Sequence, residues 1–290
     1  MNLPIRKLLC YLVVTSLVGS GTAVAANKPT LSITNVASWS SSNITTHIAA
    51  KIIQDRLHYP VRIIDTEAGP MWAAVDTGRA DATLTAWLPV IQKSYWQRYK
   101  HQVINLGPIT KGTWAGLAVP DYVPVHSLSQ LEAYHQKFQD RIVGIGSGAG
   151  VMITTHKAIK VYGMQHMHLL SSSTPAMEAE LKRSIAAHRW IVVTAWTPLS
   201  IWARFHLREL SDPKQVYGKP GNIDAVINPK LEKKAPQVVT FLRHFYISIG
   251  SLEKLMNERR QGASLDAVVQ QWISQHRSQV DSWVQKSRTL

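Results

Sequence analysis

Residues 85–90 read Thr-Ala-Trp-Leu-Pro-Val, and residues 194–199 read Thr-Ala-Trp-Thr-Pro-Leu. Each phrase follows a short apolar run. Each is followed by a second Trp, an Arg and an aromatic: Trp96, Arg98 and Tyr99 after the first, Trp202, Arg204 and Phe205 after the second. Trp is scarce, so an Ala-Trp-x-Pro written once in each half marks a shared element. Proline two residues after Trp ends a strand, because its ring removes an N–H donor and fixes φ. Each Trp is therefore expected where a strand stops and a loop begins, and the two indoles can face each other across a cleft.

The surroundings of the two phrases repeat as well. Leu31 to Val36 alternates apolar and polar residues as a strand does, and a Ser-rich loop follows. Ile44 to Leu57 has helical spacing, with Ser42 or Asn43 as its cap. Residues 61–64 form a second strand. Met71 to Thr77 is a short helix stopped by Gly78, and Asp81 to Trp87 is a third strand. In the second half, residues 142–145 form a strand, Gly146 to Gly150 a tight turn, and Val151 to Tyr162 a helix. A strand at 168–171, a helix at 175–187 and a strand from Trp190 to Trp196 complete the repeat. Thr113 to Val119 reads as a strand, Leu128 to Phe138 as a helix capped by Ser127, and the tail from about Pro229 as helical throughout, with Trp272 and Trp283 as packing anchors. The β-α-β-α-β order implies two α/β lobes, each a mostly parallel sheet flanked by helices. Crossing strands near residues 106–116 and 208–224 join them. The expected division is 26–110 with 212–290 as one lobe and 111–211 as the other.

The 290 residues are 45% hydrophobic and 17% charged, enough for two cores. Arg6 and Lys7 precede an apolar run that ends before Ala23-Val-Ala25, the pattern of a cleavable signal peptide over residues 1–25 and of export to the periplasm. The only cysteine, Cys10, lies in that segment, so the mature chain has neither disulfides nor thiol chemistry. The net charge of +14 is spread in pairs such as Lys233-Lys234 and Arg259-Arg260, not in runs interleaved with aromatics. That pattern fits a basic solvated exterior and no nucleic-acid partner.

Open α/β sheets bind ligands at the carboxyl ends of their strands, and two-lobed proteins bind them between lobes. Trp87, Trp196, Trp39 in the first strand-to-helix loop and Trp114 near the crossing strand are the aromatic candidates. A group of indoles around a cleft suits a quaternary ammonium group, which cannot donate hydrogen bonds and is best held by the negative faces of rings. A zwitterion also needs a carboxylate site. Two stretches ahead of helices offer one: Ser40 to Asn43, and the turn containing Gly148 and Ala149. That turn has neither the spacing of a dinucleotide fingerprint nor the Gly-Lys-Ser/Thr ending of a phosphate loop, and a plain tight turn is the alternative. Asp81 and Glu67 are the acidic residues near the cleft, with capping or turn roles favoured. His166-Met-His168 has no acidic or Cys partner nearby in sequence, and no hydrolase or metalloprotease motif is present, so neither a metal, a cofactor nor catalysis is expected.

These residues resemble the glycine betaine/proline betaine/choline substrate-binding proteins of ABC importers along almost the whole mature chain. The matching stretches include Glu67-Ala-Gly-Pro-Met-Trp72, Gly78-Arg-Ala-Asp-Ala82, Gly116-Leu-Ala-Val-Pro-Asp-Tyr122, Ser171-Ser-Ser-Thr-Pro-Ala-Met177 and Leu207-Arg-Glu-Leu-Ser-Asp-Pro-Lys214, besides the two Trp phrases and the Gly-rich turn. The resemblance implies a type II-like periplasmic binding protein, a monomer that closes on a quaternary amine and delivers it to a membrane permease. It implies cage positions at Trp87 and Trp196, with Trp39 and, by approximate match, Trp114. It also exposes two departures: Leu199 and Gln92 stand where many members have His. An amino acid or organic anion as ligand, or a sensory role, are the alternative readings.

Overall fold

A computed structural model describes residues 28–288. The expected signal peptide and Cys10 lie outside the described residues. The chain opens β1 (Leu31–Asn35), α1 (Ser40–Leu57), β2 (Val61–Asp65), α2 (Ala68–Thr77) and β3 (Ala82–Leu88), with β1 parallel to both β2 and β3. After α3 (Lys93–Tyr99) comes β4 (Ile104–Pro120), a strand of 17 residues. The second parallel set is β5 (Arg141–Val143), β6 (His168–Leu170) and β7 (Val193–Thr197), carrying α4 (Gly150–Tyr162) and α5 (Thr174–Ala186). β8 (Leu207–Glu209) and β9 (Gly221–Ile227) follow. Five helices close the chain: α6 (Lys230–Lys234), α7 (Pro236–His244), α8 (Ile249–Arg260), α9 (Leu265–Gln275) and α10 (Arg277–Arg288).

The strand order is β2-β1-β3-β9-β4-β7-β5-β6, with β8 also on β4. β4 belongs to both halves. Its residues Ile104 to Thr113 pair antiparallel with β9, and from Trp114 on it pairs with β7 and then β8. The sequence reading gives Thr113–Val119 as a strand and a crossing strand near 106–116, and the structure joins them into one longer strand despite Gly107, Pro108 and Gly112. The pairing with β9 absorbs them as register shifts.

Three local differences have physical causes. α1 begins at Ser40, not Ile44, because Ser42 is tied down from outside the helix. Its hydroxyl accepts from the Val36 N–H (3.1 Å) and lies 2.8 Å from the hydroxyl of Thr85. Neither Ser42 nor Asn43 caps; Trp39 holds the cap position with no side-chain bond. Residues 128–138 form two 3-10 segments, Leu128–Gln130 and Glu132–Phe138, the second kinked at Tyr134, while Ser127 caps as expected and makes a capping box with Gln130. Tyr134 and Phe138 both rest on Trp190, at 5.7 and 5.4 Å, and this packing replaces a regular helix. In the tail, Trp272 and Trp283 are buried and stacked, and Phe245 packs edge-on to Trp283 at 5.4 Å.

Candidate ligand-binding site

The two Trp phrases converge. β3 ends at Leu88 and β7 at Thr197, each followed by a cis proline, Pro89 and Pro198. Trp87 and Trp196 are 5% exposed and Trp39 is 7% exposed, so all three rings are nearly withdrawn from water. Trp39 lies 6.2 Å from Trp196 with ring planes tilted 52°. The three rings line one narrow pocket, together with Gln92, Ile91, Ile145, Ala115, Ala149, Gly150 and Val151. None of its lining side chains carries a charge. A cation here meets ring faces and aliphatic carbon, and each ring contributes about 0.5–2 kcal/mol.

Gln92 is the polar element of the wall. It is fully buried, and its Oε1 accepts from the Trp72 indole (2.8 Å) and from the Trp87 N–H (3.2 Å). Two donors on one atom fix the amide's orientation. Its Nε2 has no hydrogen-bond partner. A buried N–H pair left without an acceptor is costly, by about 1–3 kcal/mol. A ligand oxygen would remove that cost.

Both helices that meet at the pocket present their N-termini. Trp39 occupies the cap of α1 and Ala149 the cap of α4, and neither cap is closed by a side-chain hydrogen bond. First-turn N–H groups and the positive dipole end of a helix favour an anion.

The expected site residues do not all gather. Trp87, Trp196, Trp39 and Ala149 line the pocket. Gly148 precedes Ala149 but does not line the pocket; its carbonyl accepts from the Tyr95 hydroxyl. Trp114 lies outside this lining: it packs on Trp202, at 5.9 Å, and lines an adjoining pocket that it shares with Trp87, Ile91 and Ala115. Ser40 is exposed, and Asn43 is half-buried with its side chain accepting from Asn35 (3.2 Å). Leu199 faces a different groove beside Trp202 and Met256. Of the two departures from the family pattern, only Gln92 therefore reaches the pocket. Ile145 and Val151 carry no sequence signal of their own, whereas Gln92 was marked by its place a few residues after the first Trp-x-Pro.

The acidic candidates serve structure. Asp81 sits at the far end of β3, where it accepts from the Ser32 N–H (2.7 Å) and pairs with Lys234 at 2.9 Å. Glu67 holds the cap position of α2 through its backbone, without a side-chain cap bond, and its carboxylate lies beside Gly146. His166 pairs with Glu132 at 2.5 Å, which holds that carboxyl below its ordinary range, and stacks on His135 at 4.4 Å. Among the described residues no group of His, Cys, Asp and Glu is arranged for a metal ion.

Residues 30–275 match the family described as the substrate-binding domain of ABC-type glycine betaine transport systems. The chain belongs to this family. Its members serve transport, not catalysis. Over 144 residues the chain is 34% identical to the glycine betaine/carnitine transport binding protein GbuC of Listeria monocytogenes serotype 1/2a (strain 10403S), covering 49% of this chain and 48% of that one. It thus spans about half the length of that relative. The fold superposes on lactococcal OpuAC in its closed-liganded conformation with glycine betaine, with a TM-score of 0.83 and 29% identity over 89% of this chain and 100% of that one. It superposes equally on the glycine/betaine/L-proline-binding protein ProX of Borrelia burgdorferi, with a TM-score of 0.84 and 27% identity over 88% and 96%. The family's two-lobed architecture agrees with the doubled sheet and the shared strand β4.

Proposed function

We propose that the protein is an exported binding protein that takes up a quaternary ammonium compound between its lobes and hands it to the membrane permease of an ABC importer. A betaine is the ligand that suits the pocket best. The observation that carries this reading is the combination in one small cavity of three indoles, no charge, one unpaired amide and two open helix N-termini. The rings suit a trimethylammonium head, and the amide and helix ends suit a carboxylate. Trp87 and Trp196 then grip the cation from opposite lobes, with residues 26–110 and 212–290 as one lobe and 111–211 as the other. The signal pattern of residues 1–25 directs the chain to the periplasm, and the scattered basic charge fits a monomer without a nucleic-acid partner. Ligand binding favours the closed form, which offers the permease a surface the open form lacks.

The test is calorimetric titration of the purified protein with glycine betaine, proline betaine, carnitine, choline, tetramethylammonium, proline and a dicarboxylate. The expected result is micromolar binding, about −8 kcal/mol, of at least one betaine, with weaker heat from choline and tetramethylammonium. Binding of the amino acid or the dicarboxylate alone replaces the ligand class. Tighter binding of choline than of any betaine moves the ligand within it.

A further inference from the structure

The three rings and Gln92 surround a ligand only when the lobes have come together, and the closed form needs contacts of its own. Outside the pocket, Tyr95 of α3 donates its hydroxyl to the Gly148 carbonyl, 2.8 Å away in the turn before α4. Tyr95 belongs to the half of the sheet built on β1 to β3, and Gly148 to the half built on β5 to β7. Tyr95 is not among the pocket-lining residues. Its ring is held in place from below: it stacks on the fully buried Trp72 at 6.4 Å and 10°, and the Trp72 indole is bonded to Gln92. Gly69 leaves room for the phenol, since a Cβ there would come 3.1 Å from the hydroxyl oxygen. Burial raises the Tyr95 phenol above its ordinary value, so the hydroxyl keeps its proton. Next to this bond the lobes approach still more closely. A Cβ on Gly150 would lie 2.3 Å from the Ile91 carbonyl oxygen and 2.8 Å from its carbon, both backbone atoms that cannot swing aside.

We propose that Tyr95 is a closure latch, a residue that holds the lobes shut through Gly148 without touching the ligand, and that Gly150 is the position that lets them close far enough for the latch to form. The proposal rests on the reading of the protein as a two-lobed binding protein. A hydrogen bond made only in the closed form adds to that form alone, and so shifts the balance between open and closed whatever the ligand. Its loss speeds release and leaves capture, which begins from the open form, unchanged.

Two measurements on the full protein test it. Stopped-flow tryptophan fluorescence with glycine betaine reads association and dissociation in wild type and in Tyr95→Phe, which keeps the ring stacked on Trp72. Dissociation is expected to be about fivefold faster, the scale of one hydrogen bond, with association unchanged. An unchanged dissociation rate overturns the latch, and so does an equal change in both rates. Pulsed electron resonance between one spin label on each lobe reads the closed fraction with and without ligand. Tyr95→Phe is expected to lower that fraction in both states. Gly150→Ala is expected to stop the labels short of the closed distance and to weaken glycine betaine binding at least tenfold, with the ligand-free melting temperature unchanged. Full closure in Gly150→Ala overturns its assigned role. A wild type that binds no quaternary amine sinks the ligand assignment, and the label distances then judge the latch by themselves.

Discussion

The two Ala-Trp-x-Pro phrases place equivalent indoles in one pocket, yet their surroundings differ. Behind the first, Gln92 accepts from the Trp87 backbone and from Trp72, and keeps a free N–H pair in the wall. Behind the second, the Trp202 indole donates to the Trp196 carbonyl at 2.7 Å, and Leu199 turns to another groove. The strand partners differ too. Ala86 lies opposite Asp224 of β9, whereas Ala195 lies opposite Gly116 of β4. One lobe thus brings a ring together with a polar reader and a buried carboxyl. The other brings a ring, and Trp39 leans on it. Repetition of a motif fixes where a side chain points, and the neighbours decide what it does there.

The largest expected effect tests the two rings against each other. Trp196→Ala removes a ring and the support of Trp39, and glycine betaine binding is expected to weaken by about 2–3 kcal/mol, against about 1–2 kcal/mol for Trp87→Ala. Calorimetry checks both, and an equal or larger loss at Trp87 breaks the asymmetry. Next comes the polar reader. Gln92→Ala is expected to weaken glycine betaine by about 1–2 kcal/mol and tetramethylammonium, which has no oxygen, by much less. Equal losses reduce Gln92 to a prop for Trp87. The smallest effect concerns stability. Burial raises the Asp224 carboxyl above its ordinary 3.8; its Oδ2 accepts from Asn105 at 2.7 Å, and its Oδ1 is buried without a partner. A carboxyl raised by folding binds its proton more tightly in the native state, so its favourable contribution is present below pH 3.8 and is lost as pH rises through the raised value. At pH 7 the ionised group is a burden. Asp224→Asn is expected to raise the melting temperature by about 1–3 °C at pH 7 and to bring no gain below about pH 4. A gain that persists in acid would mean that the carboxyl's charge is not its cause.

Much of the fold was legible because strand and helix periods are local. The two β-α-β runs, the Gly78 stop, the Ser127 cap and the Trp272–Trp283 anchor were all open to reading. β9 was harder. Gly221 to Ile227 becomes a strand because it lies between β3 and β4, and that pairing is long-range. The site was legible to the extent that Trp marks it. Trp114 shows the limit: an aromatic at the right place in sequence lines the adjoining pocket on the other side of Trp87, and not the one that holds Trp39 and Trp196. Gln92 shows the converse. Its significance lies in an unmatched N–H, which only packing discloses.

The two lobes differ in how the chain assembles them. β5, β6 and β7 with their helices come from one continuous stretch, whereas α1, which links β1 to β2, is packed by α7 to α10 from the far end of the chain, with Arg56 of α1 reaching Asp281 at 2.5 Å. An exported chain crosses the membrane in order from its N-terminus, and domains fold as their last parts emerge. The middle lobe therefore has all its parts while the first, begun earlier, still lacks its closing helices. The chain finishes from the inside out, and a truncation that removes α10 should leave the β5–β7 half better formed than the half that was synthesised first.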